Sequence, residues 1–220
     1  MSTGSDYLLI VEDDPDILKL LQTTLTFRGY RVITARNGRE GLEIIRAERP
    51  AVVIADIMMP KLDGFGLVHR LRLTPETCDI PVVFITATYV APEDREFALN
   101  IGATRFLQKP VDLDAFLKTV AELLESGLPV AIEPMREQSF YEGYRERLQT
   151  KLEQKNKQIA RDEHLLKSRA DEENEALLAS LRHAIDEREE LKILLAQVQE
   201  QIDKFNKPAS EDRNPGSGTD

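Results

Sequence analysis

The chain has 220 residues, 41% of them hydrophobic and 31% charged, with a net charge of −10; that length suits one ordinary domain plus a more elongated appendage. The acidity is shared, 14 basic against 19 acidic residues over 1–126 and 15 against 20 over 127–220, so neither part has the basic excess a phosphate backbone demands, and no nucleic acid is expected as a partner. One cysteine, Cys78, excludes an internal disulfide, the N-terminus is acidic where a secretory leader would be basic, and no run approaches the roughly 20 apolar residues of a membrane span, so a cytoplasmic protein without membrane contact is expected.

Short apolar runs alternate with amphipathic patterns to about residue 125. Strands are predicted at 7–11, 32–35, 52–55, 82–86 and 104–107, each a short β-branched or aromatic-rich run. Between them Ile17, Leu18, Leu20, Leu21 and Leu25, then Leu42, Ile44 and Ile45, have the three-to-four spacing of amphipathic helices. Helix starts are marked by Asp14-Pro15, Asn37-Gly38, Ala91-Pro92 and Val111-Asp112, where a proline or a capping side chain opens the first turn. Five βα units with right-handed crossovers require a parallel sheet covered by helices on both faces. Ligands of such sheets bind at the carboxyl ends of the strands.

The polar residues converge on that edge. Glu12, Asp13 and Asp14 follow the first strand, Asp56 ends the third, Thr86 ends the fourth and Lys109 follows the fifth. Carboxylates about 4 Å apart repel by roughly 1–4 kcal/mol for effective dielectrics between 80 and 20, so the cluster needs a cation. Carboxylate and carbonyl oxygens with water suit Mg²⁺, which prefers octahedral oxygen coordination. Asp14 precedes a proline and reads as a helix cap rather than a ligand.

The stretches "LLIVEDDPDI", "VVIADIMMPKLDG", "VVFITA" and "GATRFLQKP" together resemble the receiver domain of two-component response regulators, over roughly residues 5–126. The resemblance implies a flavodoxin-like (βα)₅ sheet of strand order 2-1-3-4-5. It implies that Asp56 accepts a phosphoryl group, that Asp13 binds Mg²⁺ directly with Glu12 acting through water, and that Met58 offers the metal its backbone carbonyl. Thr86 and Lys109 would hold phosphoryl oxygens, and Phe106 stands where the family has its aromatic switch residue, often a tyrosine. The donor would be a sensor histidine kinase or a phosphotransfer protein. Such a chain is a signalling phosphoprotein rather than an enzyme, assisting its own phosphoryl transfer and hydrolysis.

Rival readings lack residues. Phosphatases of the haloacid dehalogenase type carry a second aspartate two positions after the nucleophile, and here that position is Met58. No glycine-rich phosphate loop follows the first strand. "LLASLRHAID" around His183 faintly resembles a kinase histidine box, but Ala184 stands where the acidic residue belongs, and His183 reads as a solvated surface residue. A scaffold on the same fold that no longer switches is the alternative function.

Beyond Glu125, residues 126–134 contain one glycine and two prolines and break the fifth helix, giving a linker over 127–134. From Tyr144 to Lys207 there is no glycine or proline, and residues 135–207 read as a long helix. Leu177, Leu181, Ala184, Arg188, Leu191, Leu195, Val198, Ile202 and Phe205 recur at alternating four and three spacing, a coiled-coil seam that predicts a homodimer and an output by protein association on a target the sequence does not name. Upstream the seam thins to Leu148, Leu152, Ile159 and Leu166, and an eleven-residue step precedes Leu177. A stutter accommodates that step in one rod; the alternative is that "KSRADEENE" turns the chain back into a hairpin. Residues 208–220 have the composition of a disordered tail.

Overall fold

A computed structural model describes residues 7–125, 134–168 and 174–206. The chain divides into two compact units, the first running to Arg136 and the second starting at Glu137. In the first, β1 (Tyr7–Val11), β2 (Arg31–Ala35), β3 (Val52–Ala55), β4 (Val82–Thr86) and β5 (Arg105–Gln108) alternate with α1 (Pro15–Phe27), α2 (Gly38–Ala47), α3 (Gly64–Leu73), α4 (Pro92–Asn100) and α5 (Leu113–Glu125). The strands are all parallel, in the order β2-β1-β3-β4-β5. This is the flavodoxin-like doubly wound sheet expected from the sequence. β5 begins one residue later than expected: Thr104 N–H does donate to Val82 O at 2.7 Å, but Val82 N–H donates in return to the Thr104 side chain, Oγ1 at 3.1 Å.

The central strands explain their own composition. Every residue of β1, β3 and β4 is buried, while the edge strands β2 and β5 are only partly so. Because side chains alternate across a strand, Leu8, Ile10, Val52, Ile54, Val83 and Ile85 face one way and pack with Leu21 and Leu25 of α1 and Phe116, Val120 and Leu123 of α5. Each such side chain contributes about 1.5–3 kcal/mol by leaving water. On the opposite face Phe84 meets Phe65 of α3, ring centroids 5.6 Å apart. The helix starts fall where the caps predict. Asp14 Oδ1 accepts from the Asp16 and Ile17 N–H groups at 2.9 and 3.1 Å, Asn37 Oδ1 from Glu40 N–H at 3.1 Å, and Asp112 Oδ1 from Asp114 and Ala115 at 3.0 Å.

The second unit consists of α6 (Glu137–Ser168) and α7 (Asn174–Asn206) packed together. They run antiparallel: the Tyr141 ring lies 6.1 Å from that of Phe205, and Lys155 Nζ meets Glu187 Oε2 at 2.6 Å. The extension is helical as expected, but the continuous rod gives way to the hairpin alternative. A lone rod would leave its apolar stripe in water. Doubling back buries Ala184, Leu191, Val198 and Ile202 of the expected seam, and Phe140, Tyr144, Leu148 and Ile159 of α6 with them. The expected linker, apart from Pro134, and the tail 208–220 lie outside the described residues, as do 169–173.

Candidate functional site

The carboxyl edge of the sheet gathers side chains from three strands. Glu12 follows β1, its N–H bonded to Ala35 O at 3.0 Å, and Asp56 follows β3, its N–H bonded to Val11 O at 2.9 Å. Both are pinned by the ladder between adjacent strands. Glu12 is 1% exposed and Asp56 8%, while Asp13 next door faces solvent. One carboxylate oxygen from each of Glu12, Asp13 and Asp56 lies within 4.8 Å of the others. Lys109, whose own N–H is held by Thr86 O at 2.9 Å, reaches over this cluster from the end of β5. Its Nζ donates to Asp56 Oδ2 at 2.7 Å and to Glu12 Oε2 at 2.8 Å.

Burial and charge act against each other here. Burial and the neighbouring Asp56 push Glu12 up to about 7, against the pull of Lys109. Burial also raises Asp13, with Asp56 adding to it. Burial draws the Lys109 ammonium down, but Asp56 and Glu12 outweigh it and hold the group above the ordinary lysine value. One lysine against three carboxylates leaves the cluster short of positive charge, and an all-oxygen donor set with one member open to water fits a hard divalent ion such as Mg²⁺.

The other expected residues take their places around this centre. Met58 lies two residues past Asp56 in the β3–α3 loop, half-buried. Thr86 is fully buried at the end of β4; its Oγ1 accepts from Thr88 N–H at 3.2 Å and Tyr89 N–H at 3.5 Å, and among the described residues no hydrogen bond joins it to Asp56. Phe106 is half-buried on β5, in register with Phe84. The loop behind Asp56 closes tightly: a Cβ on Gly64 would collide with Asp56 O and stand 2.9 Å from Ile57 Cα, so only glycine fits there. His183 is exposed on α7, 3.7 Å from Glu187, a solvated position.

This edge, with an acidic cluster, a bridging lysine and a buried threonine, matches a known design. Residues 8–121 match the model of the response regulator receiver domain. The chain belongs to this family. Among relatives, the probable transcriptional regulator ycf27 of Porphyra purpurea is 41% identical over 123 residues, covering 54% of this chain and 49% of that protein. The transcriptional regulatory protein GlrR of Escherichia coli (strain K12) is 39% identical over 137 residues, covering 62% and 30%. The chain thus spans about half or less of the length of these curated relatives. Among solved structures, the signal receiver domain of a signal transduction histidine kinase from Syntrophus aciditrophicus superposes with a TM-score of 0.52 at 33% identity, over 56% of this chain and 92% of that one. The chemotaxis response regulator CheY4 of Vibrio cholerae gives 0.51 at 32%, over 55% and 100%.

Two residues of the receiver escaped the sequence reading. Asp63 is the N-cap of α3: Gly66 N–H donates to its Oδ1 at 2.8 Å. It is 3% exposed, and burial pushes it to about 7. Tyr89, in the β4–α4 loop, is completely buried. An aspartate before Gly64 is a visible cap signal; nothing local marks a loop tyrosine as buried.

Proposed function

We propose that this receiver takes a phosphoryl group on Asp56 from a phosphohistidine of a sensor kinase or phosphotransfer protein, and that the helical hairpin turns the signal into protein association. The observation that carries the reading is Lys109 Nζ held between Asp56 and Glu12 at 2.7 and 2.8 Å. An Asp56 oxygen attacks phosphorus, a P–O bond forms, and the P–N bond breaks with its electron pair returning to the donor imidazole. Lys109 turns from Asp56 to an equatorial phosphoryl oxygen, stabilising charge where it develops. Thr86, freed from its loop amides, donates its hydroxyl to another. Mg²⁺ would be held by Asp13, Asp56 and the Met58 carbonyl with Glu12 behind, and would neutralise phosphoryl charge. The same groups assist hydrolysis, so the chain is a signalling phosphoprotein rather than a turnover enzyme.

The added group carries about −1.5 to −2 charges, enough to redraw contacts around Thr86 and Phe106. The relatives' names point to transcription, but the excess of 20 acidic over 15 basic residues across 127–220 supports a protein rather than a phosphate backbone as the partner of the second unit, a second copy of the chain among them. Among the described residues no helix is long and apolar enough to cross a membrane. The test is mass spectrometry of the full chain after incubation with acetyl phosphate and Mg²⁺. One phosphate is expected, lost in Asp56→Asn; a phosphate that persists in the variant, or maps to His183, overturns the assignment.

A further inference from the structure

The receiver has a second concave feature, at the sheet edge opposite Asp56. Helices α2 and α3 each start beside the carboxyl end of a strand and run back across the sheet, so they finish at its amino edge. Between their C-terminal halves lies a cleft of about 230 Å³. Leu42 and Ile45 of α2 and Leu71 and Leu73 of α3 line it, with Arg46 and Arg70 among them. Ile45 and Leu71 are buried, whereas Leu73 and both arginines are exposed.

The walls are fixed by bonds that none of these six side chains makes. Buried Thr77 donates from Oγ1 to Leu71 O at 2.8 Å, and Arg72 ties the same turn of α3 to Ile80 O at 2.9 Å and Gly102 O at 2.7 Å. Arg49 donates to Glu76 O at 2.6 Å and pairs with Asp79 at 2.7 Å. A cleft held in this way needs little further ordering when something binds. Arg49 and Arg72 are therefore committed within the fold. Arg46 and Arg70 are not, since among the described residues neither makes an ion pair or a side-chain hydrogen bond. A basic residue in a last turn also complements the helix dipole, but that role does not require the two to converge on one apolar floor.

Size and charge select the occupant. The volume falls short of the roughly 300–1,000 Å³ of a small-molecule site and suits one apolar side chain. Two guanidinium groups beside it suit carboxylates, and on a chain of net charge −10 they are too few to follow a phosphate backbone. We propose that this cleft docks a short acidic segment of a partner protein, one apolar side chain entering between Leu42, Ile45, Leu71 and Leu73 while flanking carboxylates pair with Arg46 and Arg70. The site stands apart from Asp56 and does not rest on its phosphorylation, so it tethers a partner to the receiver in either state.

The experiment is an NMR titration of the isotope-labelled full chain with an acetylated peptide of one phenylalanine flanked on each side by two glutamates, at low and at high salt. Saturable shifts are expected at residues 42–46 and 70–77, with an affinity that salt weakens. Arg46→Gln and Arg70→Gln should each weaken binding about two- to fivefold, as for an exposed ion pair, and leave the melting temperature unchanged. A peptide with serine in place of the phenylalanine should bind about tenfold more weakly or worse, having lost one buried aromatic. A peptide with glutamines in place of the glutamates should bind wild type and both arginine variants alike, which a merely structural effect of the substitutions would not produce. No shift at millimolar peptide, shifts centred on other residues, or a serine peptide that binds as well as its parent overturns the proposal. So do shifts at 42–46 and 70–77 that grow with protein concentration alone, since they assign the cleft to a second copy of the chain.

Discussion

Replacing Lys109 by methionine keeps most of the side chain's apolar stem and removes the cation set between Glu12 and Asp56. Its Nζ lies 2.8 and 2.7 Å from their oxygens, and the lysine and both carboxylates are largely buried. Unit charges about 4 Å apart at an effective dielectric near 20 interact by about 4 kcal/mol, and deleting one partner of a buried pair costs about 3–5 kcal/mol. The loss depends on pH through Glu12. Its folded value, about 7, stands above the unfolded 4.5, so the wild type loses stability as pH rises between those values and levels off above. Lys109 holds Glu12 down, so without it the folded value climbs and the decline continues past pH 7, at up to about 1.4 kcal/mol per pH unit. The gap between wild type and Lys109→Met should therefore be about 3 kcal/mol at pH 7, smaller at pH 6 and larger at pH 8.5. Native-state hydrogen exchange of the β3 amides at these three pH values measures it. A gap that is constant, or that narrows as pH rises, refutes the reasoning, and so does a variant that millimolar Mg²⁺ fails to restabilise.

Mg²⁺ should raise the melting temperature of the wild type by linkage, and Asp13→Ala should diminish that rise; an undiminished one removes Asp13 from the ligand set. Arg72, 2% exposed, donates from Nε and Nη2 to Gly102 O at 3.1 and 2.7 Å and from Nη2 to Ile80 O at 2.9 Å. Arg72→Met should cost about 3 kcal/mol in urea unfolding, since it leaves a buried carbonyl cluster without donors, and a loss under 1 kcal/mol would show that water replaces the guanidinium. Light scattering should find the full chain dimeric with and without acetyl phosphate. A monomer that pairs only when phosphorylated would move the interface from the hairpin to the receiver.

The sheet and its active edge were legible because each rests on local signals that agree. Uninterrupted apolar runs at β1, β3 and β4 demanded burial on both faces, and Asp14, Asn37 and Asp112 announced helix starts with side chains that do cap them. Once strand ends are placed, right-handed crossovers leave Glu12, Asp56 and Lys109 little choice but to meet. Arg72 was invisible for the opposite reason. A basic residue in the last turn of a helix reads as a solvated partner of the helix dipole, and only the packing of Gly102 across it, at φ +105°, turns that arginine inward to tie α3 to the chain entering β4 and β5. Tyr89 is likewise decided by Phe65, 24 positions earlier in the chain.

The hairpin was hidden by a symmetry of the signal itself: a heptad seam looks the same whether its partner lies in another chain or in the preceding helix. The periods nonetheless differ. In α6 the buried Phe140, Lys151 and Asp162 recur every eleven residues, whereas in α7 Ala184, Leu191 and Val198 recur every seven. An eleven-residue repeat drifts one way around a straight helix and a seven-residue repeat the other, so one α6 cannot follow the α7 seam along its length. Leu177, Leu181 and Leu195 are accordingly only half-buried, and Leu178, Ile193 and Phe205 stay 40%, 58% and 42% exposed. Apolar surface left over by mismatched stripes, on helices otherwise dense in charge, is what a further helix can cover. This favours the hairpin as a surface for protein association over the hairpin as an inert stalk. It also separates the two proposed tasks of the chain: a period mismatch is present whether or not Asp56 carries phosphate, so pairing through α7 is expected to be constant, while the receiver's loops are what phosphate is expected to rearrange.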